Sequence, residues 1–173
     1  MPDFLTNEEE SHLCDTIGKI PLHTFKFQGY EAKRKTASFG YDYSFDKRTI
    51  SKGQDIPMEF DALVEKVSRH LEIHQDDIAE LLVTEYPIGS VINWHRDAPP
   101  FEIIAGISLC TDCIFRLRPN DKARQGRKAI ISFPVKRRSL YIMQGSARTD
   151  WQHSISPVPE VRYSITLRTL RKP

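Results

Sequence analysis

Cysteines are scarce in this sequence and long apolar runs are missing, and both features restrict the kind of protein that it encodes. Three cysteines among 173 residues are too few for a disulfide scaffold, which favours a reducing, cytoplasmic location. No apolar run approaches the roughly 20 residues of a membrane-spanning helix, so we expect no membrane association. The opening residues MPDFLTNEEE lack the basic and apolar regions of a secretion signal.

Repeats, low-complexity segments, interdomain linkers and glycine-rich phosphate loops are also absent. The last of these absences disfavours a nucleotide cofactor. A length of 173 residues is typical of one domain with a sizeable core. Nine Phe, six Tyr and two Trp supply more apolar surface than a disordered chain carries. The sequence therefore predicts a single folded domain over residues 1–173.

The formal net charge of +2 does not by itself indicate a nucleic-acid-binding protein. The cations are unevenly distributed, however, and nine of them lie between residues 116 and 138. They are Arg116, Arg118, Lys122, Arg124, Arg127, Lys128, Lys136, Arg137 and Arg138. Two interpretations remain open, either basic hairpin loops kept soluble by charge or a patch that faces phosphates.

Two helices are predicted in the first half of the chain. Thr6 and Glu9 form a capping-box pattern, Leu13 and Ile17 follow at helical spacing, and Gly18 ends the first helix. A second helix is predicted from an apolar stripe at three- and four-residue steps. Its members are Phe60, Leu63, Val64, Val67 and Leu71.

After about residue 80 the pattern changes to short β-rich runs separated by turn residues. The predicted strands are Leu81–Tyr86, Ile103–Leu109, Ile114–Leu117, Ala129–Phe133, Leu140–Met143 and Val161–Leu167, with earlier strands at Leu22–Phe27 and Phe39–Phe45. Because no helix-length segment separates the late strands, a parallel βαβ arrangement is disfavoured. Helices followed by many strands favour a mainly β, α+β fold, with helices laid on an antiparallel sandwich or barrel.

One segment carries a pattern that is typical of metal binding. His95 and Asp97 are two residues apart on an extended segment, so their side chains point to the same side. His153 follows 58 positions later, far enough for antiparallel strands to bring it back. Two His and one carboxylate form the facial triad of non-haem Fe(II) oxygenases, which leaves coordination positions open. A structural His–Asp hydrogen bond is the alternative interpretation of the pair.

A second pattern lies near the end of the chain. Arg162 and Arg168 are an even number of residues apart, so both face one side of a strand together with Ser164 and Thr166. Burying two guanidinium groups is costly unless they meet anions, and a dicarboxylate suits them because Arg binds carboxylates bidentately. A solvent-exposed polar strand face is the alternative.

Taken together, His95-Arg96-Asp97, His153 and Arg162-x5-Arg168 resemble the AlkB family of Fe(II)/2-oxoglutarate dioxygenases. Tyr86 with Gly89 matches a further family segment, and Phe39-Gly40-Tyr41 matches one in the first half. The resemblance implies a double-stranded β-helix (jelly-roll) core over residues 80–170. It also implies helices and substrate-lid strands over residues 1–79.

The resemblance assigns the iron ligands as His95, Asp97 and His153. It further implies a cofactor pocket made of Tyr86, Thr84, Arg162, Ser164, Thr166 and Arg168. Arg168 is expected near the 1-carboxylate of 2-oxoglutarate, and Arg162 with Tyr86 near the 5-carboxylate. Thr84 and Ser164 depart from the family, where Asn is usual or common. The implied cofactors are Fe(II), 2-oxoglutarate and O₂.

The substrate side depends on aromatic residues and one arginine near the site in sequence. The candidates are Phe39, Tyr41, Trp94, Phe101, Arg148 and Trp151. Enzymes hold an extruded base between such rings, although aromatic residues on strands are more often core. Pro99 stands where bacterial repair members carry an acidic residue, which weakens any inference about alkylated bases.

The resulting prediction is an AlkB-like dioxygenase that demethylates or hydroxylates a modified nucleobase in DNA or RNA, as in nucleic-acid repair. Its products are succinate, CO₂ and, for methyl groups, formaldehyde. One alternative applies the same chemistry to a protein side chain or a small molecule. Another is a non-catalytic binding module on the same barrel. We expect nucleic acid as the partner and a monomeric protein.

Overall fold

The computed structural model describes residues 1–27, 30–44 and 47–172. The helices are α1 (Asn7–Ile17), α2 (Asp61–Leu71) and the short α3 (Ser146–Thr149). The predicted capping box at the start of α1 is confirmed, because the Thr6 hydroxyl accepts a hydrogen bond from the Glu9 amide and the Glu9 carboxylate accepts one from the Thr6 amide. Within the described part of the chain, no helix is long and apolar enough to cross a membrane.

Eleven strands are described, and they form two antiparallel sheets. The strands are β1 (His23–Phe27), β2 (Tyr30–Ser44), β3 (Thr49–Lys52), β4 (Ile78–Tyr86), β5 (Ile92–His95), β6 (Phe101–Leu109), β7 (Cys113–Pro119), β8 (Ile131–Val135), β9 (Leu140–Met143), β10 (Trp151–Ile155) and β11 (Arg162–Leu170). The large sheet has the order β1-β2-β4-β11-β6-β9, with β3 attached to β2, and the small sheet has the order β5-β10-β7-β8. This is the expected mainly β, jelly-roll arrangement with helices on one side.

The predicted strands are confirmed with shifted ends, and three strands were not predicted. A 3-10 turn at Arg127–Ala129 delays the start of β8 relative to the predicted Ala129–Phe133. The predicted strand Phe39–Phe45 corresponds to the end of the longer strand β2, which begins at Tyr30. Phe45 itself lies outside the described residues. The unpredicted strands β3, β5 and β10 have only four or five residues each.

Two apolar clusters flank the large sheet. In the first, Leu13 and Ile17 of α1 and Val67 of α2 pack with Leu81 and Leu167 of the central strands. The second cluster fills the space between the two sheets. Its members include Tyr86, Phe101, Ile104, Phe115, Met143 and Ile155. The functional side chains described below lie on this inter-sheet side, because strand residues alternate between the two faces.

The register of β11 fixes which side chains share that inner face. Arg162 lies opposite Tyr86 of β4, and Arg168 lies opposite Glu80. Ile165 and Leu167 point the other way, into the cluster beneath the helices. The even spacing of the two arginines therefore places both guanidinium groups between the sheets, as the sequence predicts.

Candidate metal and cofactor site

His95, Asp97 and His153 meet at one end of the small sheet. His95 ends β5 and is paired directly with His153 of the neighbouring strand β10. The two imidazole centroids are 4.1 Å apart, and Asp97 Oδ2 is 3.6 Å from His153 Nε2. One ligand atom from each residue lies within 4.8 Å of the other two. The chain thus brings together the three side chains that the sequence predicts as metal ligands.

The hydrogen bonds of these side chains leave suitable donor atoms for a metal. His95 Nδ1 is 2.8 Å from the carbonyl oxygen of Asn93, an arrangement in which Nδ1 donates and Nε2 keeps its lone pair. Asp97 Oδ1 accepts a bond of 2.7 Å from Arg168, whereas the buried Oδ2 has no hydrogen-bond partner among the described residues. Two imidazole nitrogens and one carboxylate oxygen are the donor set that suits non-haem Fe(II).

Burial and charge set the protonation of these residues. Burial lowers the pKa of His153 to about 4 against the attraction of Asp97, so the imidazole is neutral near pH 7. Burial also lowers the pKa of His95. Burial alone raises the pKa of Asp97, but the combined attraction of its neighbours, with Arg168 the strongest and Arg148 also contributing, outweighs burial and holds the pKa well below the usual range. All three groups are therefore in the protonation state that a metal ion requires.

Arg168 connects the ligand Asp97 to the large sheet. One of its nitrogens, Nη2, bonds Asp97, and the other, Nη1, donates to Glu80 Oε2 at 2.5 Å. The second oxygen of Glu80 accepts a bond of 2.9 Å from Ser38. Burial raises the pKa of Glu80, and the attraction of Arg168 opposes this effect. The result is a buried chain of polar contacts that orients Asp97 and occupies both terminal nitrogens of Arg168.

Arg162 has a different environment. The residue is fully buried, its Nε donates a bond of 2.9 Å to Ser108, and its guanidinium carbon lies 5.0 Å from the centre of the Tyr86 ring. Its Nη1 and Nη2 atoms are buried without a hydrogen-bond partner among the described residues. A buried cation with two unsatisfied donors side by side matches the geometry of a carboxylate. Arg162 therefore fits the 2-oxoglutarate anchor that the resemblance implies.

A cavity of about 410 Å³ opens between the two sheets at this site. It is lined by His95, Asp97 and His153, and by four of the predicted cofactor residues, Thr84, Tyr86, Thr166 and Arg168. Arg162 and Ser164, the other two, are buried in β11 and do not line its surface. The predicted metal and cofactor residues thus either line this one cavity or lie directly behind its wall.

The predicted substrate aromatics are placed less uniformly. Phe101 lines the cavity, with the Arg168 guanidinium carbon 5.3 Å from the centre of its ring. Phe39 instead belongs to the core cluster beneath the helices, where it packs against Phe60 at a centroid distance of 6.5 Å. Tyr41 lies near the protein surface and lines a separate groove. The structure therefore does not bring Phe39 or Tyr41 to the cavity.

Glycine explains why Phe39 is turned away from the cavity. Gly40 has a φ of +84°, and a Cβ at this position would lie 2.2 Å from the carbonyl oxygen of Ala79. The strand therefore passes so close to β4 at Gly40 that only glycine fits. Thr36 and Ser38 line the cavity, so alternation places Phe39 on the opposite face. The Phe-Gly-Tyr segment thus has a packing role in β2.

The other three predicted substrate residues lie around the ligands but outside the cavity lining. Arg148 is buried, and its Nη2 donates a bond of 3.0 Å to the carbonyl oxygen of Asp97, which fixes the ligand loop. Trp151 begins β10 and is half-buried. Trp94 lies against Arg116 and Arg118 on β7, at ring-centre distances of 5.1 and 4.6 Å.

Several cavity residues were not predicted from the sequence. Glu80 is four residues before Thr84 and six before Tyr86 on β4, so all three side chains face the same side of the strand. A charged residue on the predicted cofactor side of a largely apolar strand therefore indicates a site residue. Tyr141 enters the cavity over Gly106, where any side chain would collide with its ring. Other unpredicted lining residues include Phe25 and Arg34 of the first two strands and Met143 of β9.

Comparison with known proteins supports the same assignment. The sequence matches the family model of the 2OG-Fe(II) oxygenase superfamily over residues 1–168. It is 26% identical over 163 residues to the tRNA (carboxymethyluridine(34)-5-O)-methyltransferase ALKBH8 of Mus musculus, covering 90% of this chain and 23% of the relative. The Xenopus tropicalis protein of that name is 29% identical over 163 residues, covering 90% and 24%. This chain therefore spans about a quarter of the length of these relatives.

Two further comparisons cover nearly the whole chain. Uncharacterized protein L905 of Acanthamoeba polyphaga mimivirus is 30% identical over 186 residues, covering 98% of this chain and 83% of that protein. The solved structure of OsALKBH1 has the same fold, with a TM-score of 0.70 at 14% identity, covering 98% of this chain and 95% of the other. The chain belongs to the 2OG-Fe(II) oxygenase superfamily and is an AlkB-like dioxygenase, whose cofactors are Fe(II), 2-oxoglutarate and O₂.

Proposed function

We propose that this dioxygenase demethylates or hydroxylates a modified nucleobase in nucleic acid, with tRNA as the first substrate class to test. The observation that carries the proposal is the cavity, in which the metal-ligand set lies with the aromatic rings of Phe25 and Tyr43 and the guanidinium group of Arg34. Aromatic and guanidinium planes are the groups on which proteins stack unpaired bases. The names of the ALKBH8 relatives, which specify a modified tRNA uridine, support the same class.

The proposed roles begin with the metal. His95, Asp97 and His153 hold Fe(II), and Arg168 and Arg148 keep Asp97 in place through its carboxylate and its carbonyl oxygen. When bound, Fe(II) and 2-oxoglutarate supply the activation of O₂ that oxidises a substrate C–H bond and yields succinate and CO₂. A hydroxylated N-methyl group then leaves as formaldehyde.

The proposed cofactor contacts use the two arginines differently. Arg162, which lies behind the cavity wall beside the Tyr86 ring, binds the 5-carboxylate through Nη1 and Nη2 once that wall opens to the cofactor. Thr84 and Thr166 line the same cavity and offer hydroxyl groups along the cofactor. Arg168 already bonds Asp97 and Glu80, so its contribution near the 1-carboxylate is positive charge, while its hydrogen bonds orient the metal ligand.

On the substrate side, Arg34 and Phe25 form a pair of planes. The guanidinium carbon of Arg34 lies 4.0 Å from the centre of the Phe25 ring, and both residues line the cavity. Tyr43 and Asp42 follow on β2 and add an aromatic ring and a hydrogen-bond acceptor to the same wall. We propose that this wall covers the modified base, in the role that the resemblance assigned to the Phe39–Tyr41 segment.

The experiment combines a chemical readout and a substrate readout. Protein loaded with Fe(II) without oxygen is exposed to O₂ with 2-oxoglutarate, and succinate is measured with and without total tRNA or methylated oligonucleotides. Nucleosides from the digested RNA or DNA are then compared by mass spectrometry. We expect succinate formation to rise with a nucleic-acid substrate and a modified nucleoside to be lost or hydroxylated.

Two variants serve as controls for the assay. His153→Ala should abolish both readouts, whereas His74→Ala should leave them unchanged, because His74 is an exposed cap of a 3-10 turn that precedes β4. Succinate formation that no nucleic acid stimulates, without any change in the nucleosides, would contradict the substrate class. That outcome favours the same chemistry on a protein side chain or small molecule.

A further inference from the structure

The outer face of the small sheet carries an arginine–tryptophan cluster on the side opposite the metal ligands. Strand alternation places Trp94 on the reverse side from His95, and Arg116 and Arg118 on the reverse side from the inward-facing Phe115. Both guanidinium groups lie against the indole ring of Trp94, at 5.1 and 4.6 Å from its centre. Arg118 is also fixed by a hydrogen bond of 2.7 Å from its Nε to Gln152. The cluster is therefore an ordered arrangement of one aromatic plane and two cations.

The cations of this cluster continue into the hairpin between β7 and β8. Lys122, Arg124, Arg127 and Lys128 are all exposed there, and Asp121 is the one acidic residue between positions 116 and 135. Within the described ranges, none of these four lysines and arginines has a carboxylate at ion-pair distance, and neither do the two arginines of the cluster.

The next three cations along the chain show the contrast. Lys136 pairs with Asp112, Arg137 with Glu10, and Arg138 with Asp3 and Glu10. These residues fasten β8 to the rest of the protein. The basic segment 116–138 thus divides into two parts. The cations after residue 135 form ion pairs within the protein, and among the described residues those before it have no carboxylate partner.

The register of the small sheet places the cations without ion-pair partners at the end of the sheet where the metal ligands lie. His153 is paired with Leu117, Trp151 is paired with Pro119, and the Asn120 amide donates a bond of 2.8 Å to the carbonyl oxygen of Asp150. β7 therefore ends two residues beyond the level of the ligand His153, and the hairpin follows directly. It extends from the end of the sheet at which the cavity and the ligands lie.

We propose that this surface binds the single-stranded nucleic acid on either side of the base that enters the cavity. Its members are Trp94, Arg116, Arg118, Lys122, Arg124, Arg127 and Lys128, and we call it the arginine–tryptophan face. The cations neutralise phosphates, and the indole stacks one flanking base. The inference rests on the proposed function. An acidic protein surface also suits the cations, but it makes no use of the indole ring that lies against Arg116 and Arg118.

The test measures binding of a fluorescein-labelled single-stranded RNA of 12 nucleotides to the Fe(II)-free 173-residue chain across a series of salt concentrations. Replacing two phosphate contacts, in Arg116→Gln/Arg118→Gln, should weaken binding and reduce the slope of log K against log salt by about 1.4, since each contact to a single strand contributes about 0.7. Lys136→Gln/Arg137→Gln is the matched control, with the same loss of charge at paired cations, and should leave the slope unchanged.

The indole contribution is tested separately. Trp94→Ala should weaken RNA binding about 5- to 150-fold, the loss typical of one stacked base, and Trp94→Phe should restore most of it. Since the chain has two tryptophans, a Trp151→Phe background makes Trp94 the only fluorescent indole, which RNA should quench. Unchanged thermal unfolding of each variant shows that the fold is retained.

The outcomes separate this inference from the proposed function. RNA binding that is equal in wild type, Arg116→Gln/Arg118→Gln and Trp94→Ala overturns the arginine–tryptophan face, while oxidation of an oligonucleotide by the wild type leaves the proposed function intact. A salt slope that falls equally in the Lys136→Gln/Arg137→Gln control also overturns it, because the effect is then one of net charge. If the wild type neither binds nor oxidises any nucleic acid, the proposed function fails and the face fails with it.

Discussion

Arg162→Met should make the cofactor-free protein more stable and at the same time abolish 2-oxoglutarate binding. Arg162 is fully buried, and two of its three guanidinium nitrogens have no hydrogen-bond partner among the described residues. Methionine is of similar length and carries no polar hydrogen to satisfy. Replacing the guanidinium removes the penalty of unsatisfied buried donors, about 1–3 kcal/mol, and loses the bond to Ser108, about 1 kcal/mol. We therefore expect a net gain of about 1 kcal/mol in the free energy of unfolding.

Bound 2-oxoglutarate should reverse the order of stability of the wild type and Arg162→Met. Two charge-assisted hydrogen bonds to a carboxylate contribute about 3–6 kcal/mol to binding, so their loss weakens 2-oxoglutarate binding by a factor of about 10² to 10⁴. At a concentration of 100 times its Kd, 2-oxoglutarate stabilises the wild type by about 2.7 kcal/mol. The same concentration should stabilise Arg162→Met by no more than about 0.4 kcal/mol, because it does not exceed the weakened Kd of the variant. The variant is thus expected to be the more stable protein without 2-oxoglutarate and the less stable protein with it.

The assay is urea unfolding under nitrogen, with Fe(II) in all samples and 2-oxoglutarate in half of them. Arg171→Met is the matched control, because Arg171 is a half-exposed arginine paired with Glu102, and it should change neither the stability nor the response to the cofactor. Two results refute the reasoning. One is an Arg162→Met protein that 2-oxoglutarate stabilises as much as the wild type, and the other is a cofactor-free variant that is less stable by several kcal/mol.

Three further predictions follow from particular contacts. Gly106→Ala places a Cβ 2.1 Å from the Tyr141 ring, so it should lower the free energy of unfolding by about 1–3 kcal/mol and displace that ring from the cavity, and unchanged urea unfolding would contradict this. The metal-free protein should lose stability as the pH falls from 6.5 towards 4, because His153 binds a proton in that range in the unfolded chain but not in the folded protein, where its pKa is about 4. His153→Asn should therefore reduce the slope of the free energy of urea unfolding against pH. Hydrogen peroxide should join Cys14 to Cys110, whose sulfur atoms are 3.3 Å apart, with two thiol hydrogens lost to water; peptide mapping that finds a different cysteine pair would contradict it.

The grouping of the site's side chains was predictable from the sequence because it depends on local spacing, whereas the iron and 2-oxoglutarate chemistry was implied by the resemblance to the AlkB family. His95 and Asp97 share a side of one extended segment, and Arg162 and Arg168 share a side of one strand, so alternation alone brings each pair together. His153 needed only enough intervening chain to return to His95. These inferences require no knowledge of which strands are neighbours.

The substrate wall was not predictable in the same way. Phe39 was placed over the substrate, but the close approach of Gly40 to Ala79 sets the phase of β2 and turns Phe39 into the core. That approach is a contact between distant segments, which strand periodicity does not contain. The phase of Glu80 on β4 indicates the cavity side, but its role does not follow from the sequence, since its partner Arg168 lies 88 positions away and only the pairing of β4 with β11 brings them together.

The two arginines of β11 illustrate how one motif divides into two roles. Arg168 has its terminal nitrogens bonded to Asp97 and Glu80, whereas those of Arg162 have no partner among the described residues. Two of the five N–H groups of Arg168 and much of its charge are already used by carboxylates of the protein, so the anion-binding capacity of the motif lies mainly at Arg162. Arg168 instead fixes Asp97 Oδ1, which leaves Oδ2 for the metal. Since a lysine has no planar fork to span Asp97 and Glu80, Arg168→Lys should disturb the metal ligand itself, whereas Arg162→Lys keeps the metal site and affects only cofactor binding.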